Sequence, residues 1–422
     1  MKMELAEGFK DTEIGRIPKE WKVVRLGDEG IAEIRSNRVI SGFEKVAFIP
    51  MELIPDSCIF ANYELRPMDE VKSFTYCERG DLLLAKITPS LENGKQGIVP
   101  DDVPNGFALA TTEVFPIVPK GVDKLYLFYL LKFPKFRNKI IASMIGTTGR
   151  QRASKESVEK LKIPLPPLPE QRKIAEILST VDDAIQKVDE AIARTERLKR
   201  GLMQKLLTKG IGHKEFEDTE IGRIPKEWEV VKLKEVVEKI KAGGTPLTTN
   251  PEYWNGDIPF VKIEDITSST KYLSKTITFV SRKGLENSSA WIVPKNSLLL
   301  AMYGSLGEVA ITKIPVTTNQ AILAIIPKKD KCETEFLYYW FLYFKPQWKK
   351  FAKPTTQANL TAEIIREACI PLPPLPEQRK IAEILSTVDK KSELERKRKE
   401  KLEHIRRGLM NDLLTGKRRI KV

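Results

Sequence analysis

The sequence predicts an α+β protein built as a pseudo-dimer on one chain: two globular mixed α/β domains joined by two long helices, packed as an antiparallel coiled coil with pseudo-two-fold symmetry. Three observations predict it. The chain repeats itself once, each copy ends in a heptad-patterned helix, and the segments before those helices mix short and long apolar runs.

The repeat is the strongest signal. DTEIGRIPKEW at 11–21 returns unchanged at 218–228, and IPLPPLPEQRKIAEILSTVD at 163–182 returns unchanged at 370–389. GLMQKLLTKG at 201–210 is echoed by GLMNDLLTGK at 408–417, and all three offsets are 207 residues. Two copies are too few for a solenoid. A fused homodimer fits better, since it keeps a self-complementary interface while its halves diverge. Segments 27–162 and 234–369 have diverged, with traces such as GDLLLAK at 80–86 against NSLLLAM at 296–302. Offsets between such traces drift from 206 to 216, so loops differ on a shared frame.

In chain order, residues 46–50 and LLLAKIT read as strands of the first domain, and residues 259–263 and LLLAMYG as their counterparts in the second. Residues 125–133 and 336–344 read as buried apolar helices, each halted by a proline, Pro134 or Pro346. Their aromatics suit a core, and Tyr253 and Trp254 suit packing. IPLPPLP is extended, because proline fixes φ and pushes its predecessor out of the helical region. EQRKIAEIL then opens a helix, with Pro169 and Glu170 suited to its first turn. Ile174, Leu178, Val181, Ile185, Val188 and Ile192 recur at spacings of 4, 3, 4, 3, 4, a heptad seam. The pattern weakens at Thr195, resumes with Leu198, Leu202 and Leu206, and stops near Gly210. The second copy repeats Ile381, Leu385 and Val388, becomes charged, then regains an apolar face with Leu402, Ile405, Leu409 and Leu413. A helix over 168–208 spans ~60 Å at ~1.5 Å per residue and needs a partner, for which the other copy is the obvious choice. The expected domains are 1–165 and 211–372, each followed by a helix, 166–210 and 373–417.

Composition narrows the function. The chain has 422 residues, 41% hydrophobic, enough for a sizeable core. A formal charge of +14 favours a polyanionic partner, nucleic acid first, although many basic proteins bind none. Cys58, Cys77, Cys332 and Cys369 form no close pair, and His213 and His404 are the only histidines, so a metal site or histidine triad is poorly supplied. With no long apolar run and no apolar leader in MKMELAEGFKDTE, the expected location is cytoplasmic, away from any membrane.

The order of globular domain and PLPPLPEQRKIAEIL helix, given twice, resembles the specificity subunit of type I restriction–modification enzymes. The resemblance covers nearly the whole chain. GTTGRQRASKESVEKLKIPLPPLPEQRKIAEIL and TTQANLTAEIIREACIPLPPLPEQRKIAEIL are similar to that family's junctions, and KAGGTPLTTNPEYWNGDIPFVKIEDI at 241–266 to the start of its recognition domains. It implies two target-recognition domains, each reading one half of a bipartite double-stranded DNA target, with the helical pair setting the gap. It also implies modification subunits using S-adenosylmethionine, and restriction subunits using ATP and magnesium, so this chain is expected to be non-catalytic and free of cofactor. Two rival readings are a duplicated-domain DNA nuclease or methyltransferase, and a coiled-coil scaffold without DNA binding. No NPPF or DPPY motif and no phosphate loop occurs, and Pro55-Asp56 with Glu70-Val71-Lys72 is only a loose nuclease-like pattern.

The resemblance supplies no residue code for reading DNA, so candidates come from composition and placement. Base edges call for Arg, Lys, Asn or Gln, and phosphates for Lys and Arg. In the first domain these are Arg35, Asn37 and Arg38; Lys86, Thr88, Asn93 and Lys95; and Arg150, Gln151 and Arg152 in a glycine-flanked loop with Thr147 and Thr148. In the second they are Lys241 and Thr245; Tyr303 and Ser305; and Gln357 and Asn359 beside Thr355 and Thr356. The alternative for each loop is a solvated turn. The basic run 396–401 reads as a solvated helix face.

Overall fold

A computed structural model describes residues 8–147, 149–351 and 360–420, the side chains of 349–351 excepted. It divides into two compact units, Met1–Glu190 with Lys397–Val422, and Ala191–Arg396.

In the first unit, the fully buried strand Leu82–Ala85 pairs antiparallel with Val114–Pro119 and Gln96–Ile98, and Ala32–Ile34 completes the sheet. A second sheet joins Lys45–Ile49, Glu64–Pro67, Phe107–Ala110 and Thr75–Glu78, its one parallel pairing setting Ala110 beside Ile49. The second unit repeats the frame. Leu298–Ala301 lies between Ile322–Pro327 and Val309–Thr312, and Phe260 and Val261 pair in parallel with Thr317 and Thr318.

The extended IPLPP segments are strands. Lys162–Leu165 pairs with Lys22–Arg25, and Cys369–Leu372 with Glu229–Lys232. Proline is tolerated because each is a two-stranded ribbon with a free edge. The two stretches that recur unchanged in the sequence therefore converge in space, one from each end of each head.

Helices Leu168–Lys209 and Leu375–Leu414 match the expected span and pack antiparallel. In the first unit Asp182 meets Arg406 (3.1 Å) and Asp189 meets Lys399 (2.6 Å), so partner numbers fall as residue numbers rise. In the second, Glu196 meets Arg396 (2.7 Å) and Lys199 meets Asp389 (2.5 Å) in the same sense. Each core joins a head to the start of one helix and the end of the other. Ile174 and Leu178 share a cluster with Met410, Leu413 and Leu414, and Ile381 and Leu385 share one with Met203, Leu206 and Leu207. Fully burying one such side chain stabilises by about 1.5–3 kcal/mol.

Three expectations are corrected. Leu198 is 52% exposed, because Thr195 takes the buried place and the face moves on to Met203, Leu206 and Leu207. Ile405 is likewise 48% exposed, while Met410 and Leu413 turn inward. Pro134 does end the helix Lys124–Lys132, though it also begins the next one, where a missing N–H costs nothing. Pro346 stops nothing: it lies inside the helix Thr334–Phe351. Trp348 stacks on Phe341 (5.5 Å between ring centroids) and packs edge-on to Phe344 (4.8 Å), holding the turn after Pro346 against the core.

Candidate nucleic-acid interface

The central strand of the first head leaves the core at Lys86. Backbone bonds staple the turn that follows to residues 151 and 153: Ala153 N–H donates to Lys86 (2.8 Å) and Thr88 N–H to Gln151 (3.0 Å). Lys86, Thr88, Asn93, Arg150, Gln151 and Arg152 thus meet on one surface, although the sequence separates them by up to 66 residues. Arg152 forks onto Glu113 (2.9 and 3.1 Å) and holds that carboxyl below its ordinary pKa. Lys95 is committed inward, donating to the carbonyls of Met51 (2.7 Å) and Ile54 (3.0 Å). The Thr88 hydroxyl donates to Glu92 (2.8 Å), and the Lys86 ammonium sits 5.2 Å from the Phe115 ring centroid. Asn93 and Arg150 are exposed, and among the described residues their side chains have no hydrogen-bond partner.

Arg35, Asn37 and Arg38 divide their roles. Arg35 forks onto buried Asp81 (2.6 and 2.9 Å) and reaches Glu78 (3.0 Å). Burial pushes the Asp81 carboxyl up, and Arg35 pulls it back. The Asn37 amide donates to Phe74 O (3.0 Å) and accepts from Tyr76 N–H (2.8 Å). These two residues fasten the loop. Arg38 is exposed, donating to Glu78 (3.3 Å) and lying 5.3 Å from the Tyr76 ring centroid.

In the second head, Lys239 and Lys241 lie over Trp291, 4.2 and 5.7 Å from its ring centroid. The Thr245 hydroxyl donates to Gln320 (2.6 Å). Beside it opens a groove of about 420 Å³ lined by Trp254, Phe260, Lys262 and Asn319, where Trp254 packs edge-on to Phe260 (5.2 Å). Lys262 and Asn319 went unnoticed in the sequence, because only the fold brings them to Thr245. Tyr303 and Ser305 are half-buried in the turn after the central strand. Leu360 N–H donates to Met302 (3.3 Å), the counterpart of the Ala153–Lys86 staple. Gln357 and Asn359, with Thr355, Thr356 and Thr148, lie outside the described residues.

A second set of residues was missed as anything more than helix-starting chemistry. Glu170 and Gln171 are buried at 4% and 1% exposure. Glu170 accepts from the Trp21 indole (3.0 Å) and from Arg419 (2.8 Å). Gln171 accepts from Asp123 N–H (2.8 Å) and donates to Pro166 O (2.8 Å). Glu377 takes Trp228 (2.9 Å), His213 (2.9 Å) and Ile211 N–H (2.8 Å), and Gln378 takes Glu333 N–H (2.9 Å) and donates to Pro373 O (2.8 Å). Their recurrence at one offset, together with Trp21 and Trp228, was the signal that could have found them.

Among the described residues no three His, Cys, Asp or Glu side chains are grouped to hold a metal, and Asp56 and Glu70 belong to no such group. No described helix is long and apolar enough to cross a membrane.

Two duplicated heads, each stapled to a helical pair, are matched by a family described as the type I restriction modification DNA specificity domain, at residues 18–194 and again at 225–404. The chain belongs to this family. The MjaVIII specificity subunit of Methanocaldococcus jannaschii is 32% identical, over 98% of this chain and 97% of its own length. The HindI specificity subunit of Haemophilus influenzae is 24% identical, over 76% and 82%. The solved S subunit of a type I system from M. genitalium shares the fold, with a TM-score of 0.59 at 16% identity over 98% of both chains. As a specificity subunit the chain recognises target DNA and is the non-catalytic component of its system.

Proposed function

We propose that this specificity subunit reads a bipartite target in double-stranded DNA, one head per half-site, and that the antiparallel helices set the gap. One observation carries the reading: the same stapled frame, Lys86 with Ala153 and Met302 with Leu360, presents unlike polar loops in the two units. A common frame with different loops is how two related heads come to read different sequences. In this reading Arg38, Asn93, Arg150 and Lys241 face DNA, and Gln357 and Asn359 are further candidates drawn from the sequence. Arg35, Asn37 and Lys95 hold the loops in place.

Modification and restriction subunits dock on the helices. Leu198 and Leu394, 52% and 67% exposed on charged helix faces, suit such docking. S-adenosylmethionine, ATP and magnesium belong to those partners, and this chain binds none of them. The complex works in the cytoplasm.

Exchanging residues 27–162 for another family member's domain tests the reading. One half-site of the target, mapped by host-DNA methylation, is expected to change. A change in both halves would defeat the modular assignment. Salt-dependent DNA binding separates the reading from an inert scaffold, because phosphate contacts release counterions.

A further inference from the structure

Each head meets its helices at one more point, 12 residues further along each helix than the Trp–Glu contact. In the first unit the Tyr129 hydroxyl donates to Asp182 Oδ2 (3.0 Å), and Arg406 Nη1 reaches Asp182 Oδ1 (3.1 Å). In the second, the Tyr339 hydroxyl donates to Asp389 Oδ2 (2.6 Å), and Lys199 Nζ lies 2.5 Å from Asp389 Oδ1. Asp389 stands 207 residues after Asp182, and Arg406 stands 207 residues after Lys199. One carboxylate thus gathers a tyrosine from the head, its own helix, and a cation from the opposing helix. The two aspartate side chains are 10% and 23% exposed. Burial keeps both tyrosine hydroxyls protonated as donors, by raising their pKa values.

The second junction carries an extra wedge. Lys271, 5% exposed, donates to Glu335 (2.8 Å), Ser386 (2.6 Å) and the Tyr339 hydroxyl (3.2 Å). Ser179, the counterpart of Ser386, turns its hydroxyl back to Glu176 O in its own helix (3.0 Å).

Such charge clusters contribute little net stability, since desolvation offsets most of their attraction. What they do supply is direction: a carboxylate carried by one helix and held by two partners, from the head and from the opposing helix, admits one arrangement of those elements. We propose that Asp182 with Arg406, and Asp389 with Lys199, are positioning pairs that fix the angle of each head on the helices and so set the tolerated gap between half-sites. They play no part in which bases are read. This rests on the bipartite reading given above.

The test uses the full chain assembled with its methylating subunits. Its DNA probes are duplexes carrying the methylation-mapped target with the native gap or with one base pair added or removed. Arg406→Met, Lys199→Met and Lys271→Met are each expected to lower the native-to-shifted binding ratio by about three- to tenfold, the coupling expected of a close charge pair. Base preference inside each half-site stays as in the wild type. Tyr129→Phe, which keeps the ring and loses only the hydroxyl, gives the same test if a charge variant fails to fold. A variant that keeps the wild-type ratio, or that changes the bases read, overturns the proposal while leaving the bipartite reading intact. A wild-type chain with no gap preference overturns both.

Discussion

Trp21 donates its indole N–H to Glu170 at 3.0 Å, and 207 residues later Trp228 donates to Glu377 at 2.9 Å. Each contact ties the turn before a ribbon strand, Lys22–Arg25 or Glu229–Lys232, to the first turn of the helix that leaves the head. Glu170 also receives Arg419, from beyond the end of the other long helix, so one buried carboxylate holds three segments. Glu170→Ala leaves the indole donor buried and unpaired and leaves Arg419 with Glu20 alone (2.7 Å). The expected loss is about 2–4 kcal/mol, read from the denaturant midpoint of the first head. Unfolding at the wild-type denaturant concentration would show that the carboxylate is no strut.

Arg35 and Arg150 look alike in sequence and differ in structure. Arg150→Ala removes an exposed cation, so stability is expected to stay within about 0.5 kcal/mol while the salt slope of DNA binding falls by about one. Arg35→Ala leaves Asp81 buried without its fork, and thermal unfolding is expected to register the loss first. If Arg35→Ala leaves stability unchanged and removes one unit of salt slope, the two roles are reversed.

The Lys132 ammonium is buried and, among the described residues, has no hydrogen-bond partner, and burial lowers its pKa to about 8. A depressed folded pKa means the native state binds the proton more weakly than the unfolded state does. The ammonium therefore destabilises fully below pH 8, and stability is regained as pH rises from about 8 toward the unfolded value near 10.5. Lys132→Met is expected to stabilise the first head by about 2 kcal/mol at pH 7, with the gain shrinking above pH 8. Paired unfolding curves at pH 7 and 9.5 check it, and an equal gain at both would assign the effect to packing.

Four glycines on or beside the long helices divide by environment. Gly201 and Gly408 sit within the helices, and an added Cβ would meet nothing within 4 Å. Changing either to alanine is expected to stabilise by about 0.5–1 kcal/mol through backbone entropy. Gly210 and Gly416 end the helices at φ of +63° and +70°, where a Cβ would collide with Trp228 or with Pro18. Alanine there is expected to cost about 1–3 kcal/mol. Calorimetry of the four variants checks the pattern, and a uniform sign across them would contradict it.

Much of the frame was legible in the sequence. The identical stretches marked the pseudo-dimer, proline marked the extended segments, and the heptad spacing gave both helices nearly to their ends. Local steric rules and periodicity suffice there, since a residue and its chain neighbours settle φ, ψ and the buried face. The failures lay where a third element intervened. Pro346 was expected to end a helix that the aromatic packing of Trp348 carries onward. Leu198 and Ile405 were expected on the seam and face outward.

The candidate DNA residues were legible as polar loops, but their roles were not. Arg35, Asn37 and Lys95 read like Arg38 and Arg150 until Asp81, Phe74 and the Met51 and Ile54 carbonyls are seen to occupy them. Composition reports what a side chain can bind, and only a neighbour distant in sequence reports what it already binds.

The sequence by itself determined the duplication, the extended junctions, the long helices and the family, because all of these are written in order and spacing along the chain. The tertiary structure alone decided that Glu170 and Glu377 are struts, that Tyr129 and Tyr339 meet Asp182 and Asp389, and which loop cations stay exposed. Those contacts join residues from about 50 to 250 positions apart, and their energies exist only once burial has removed the water that would otherwise satisfy each group alone.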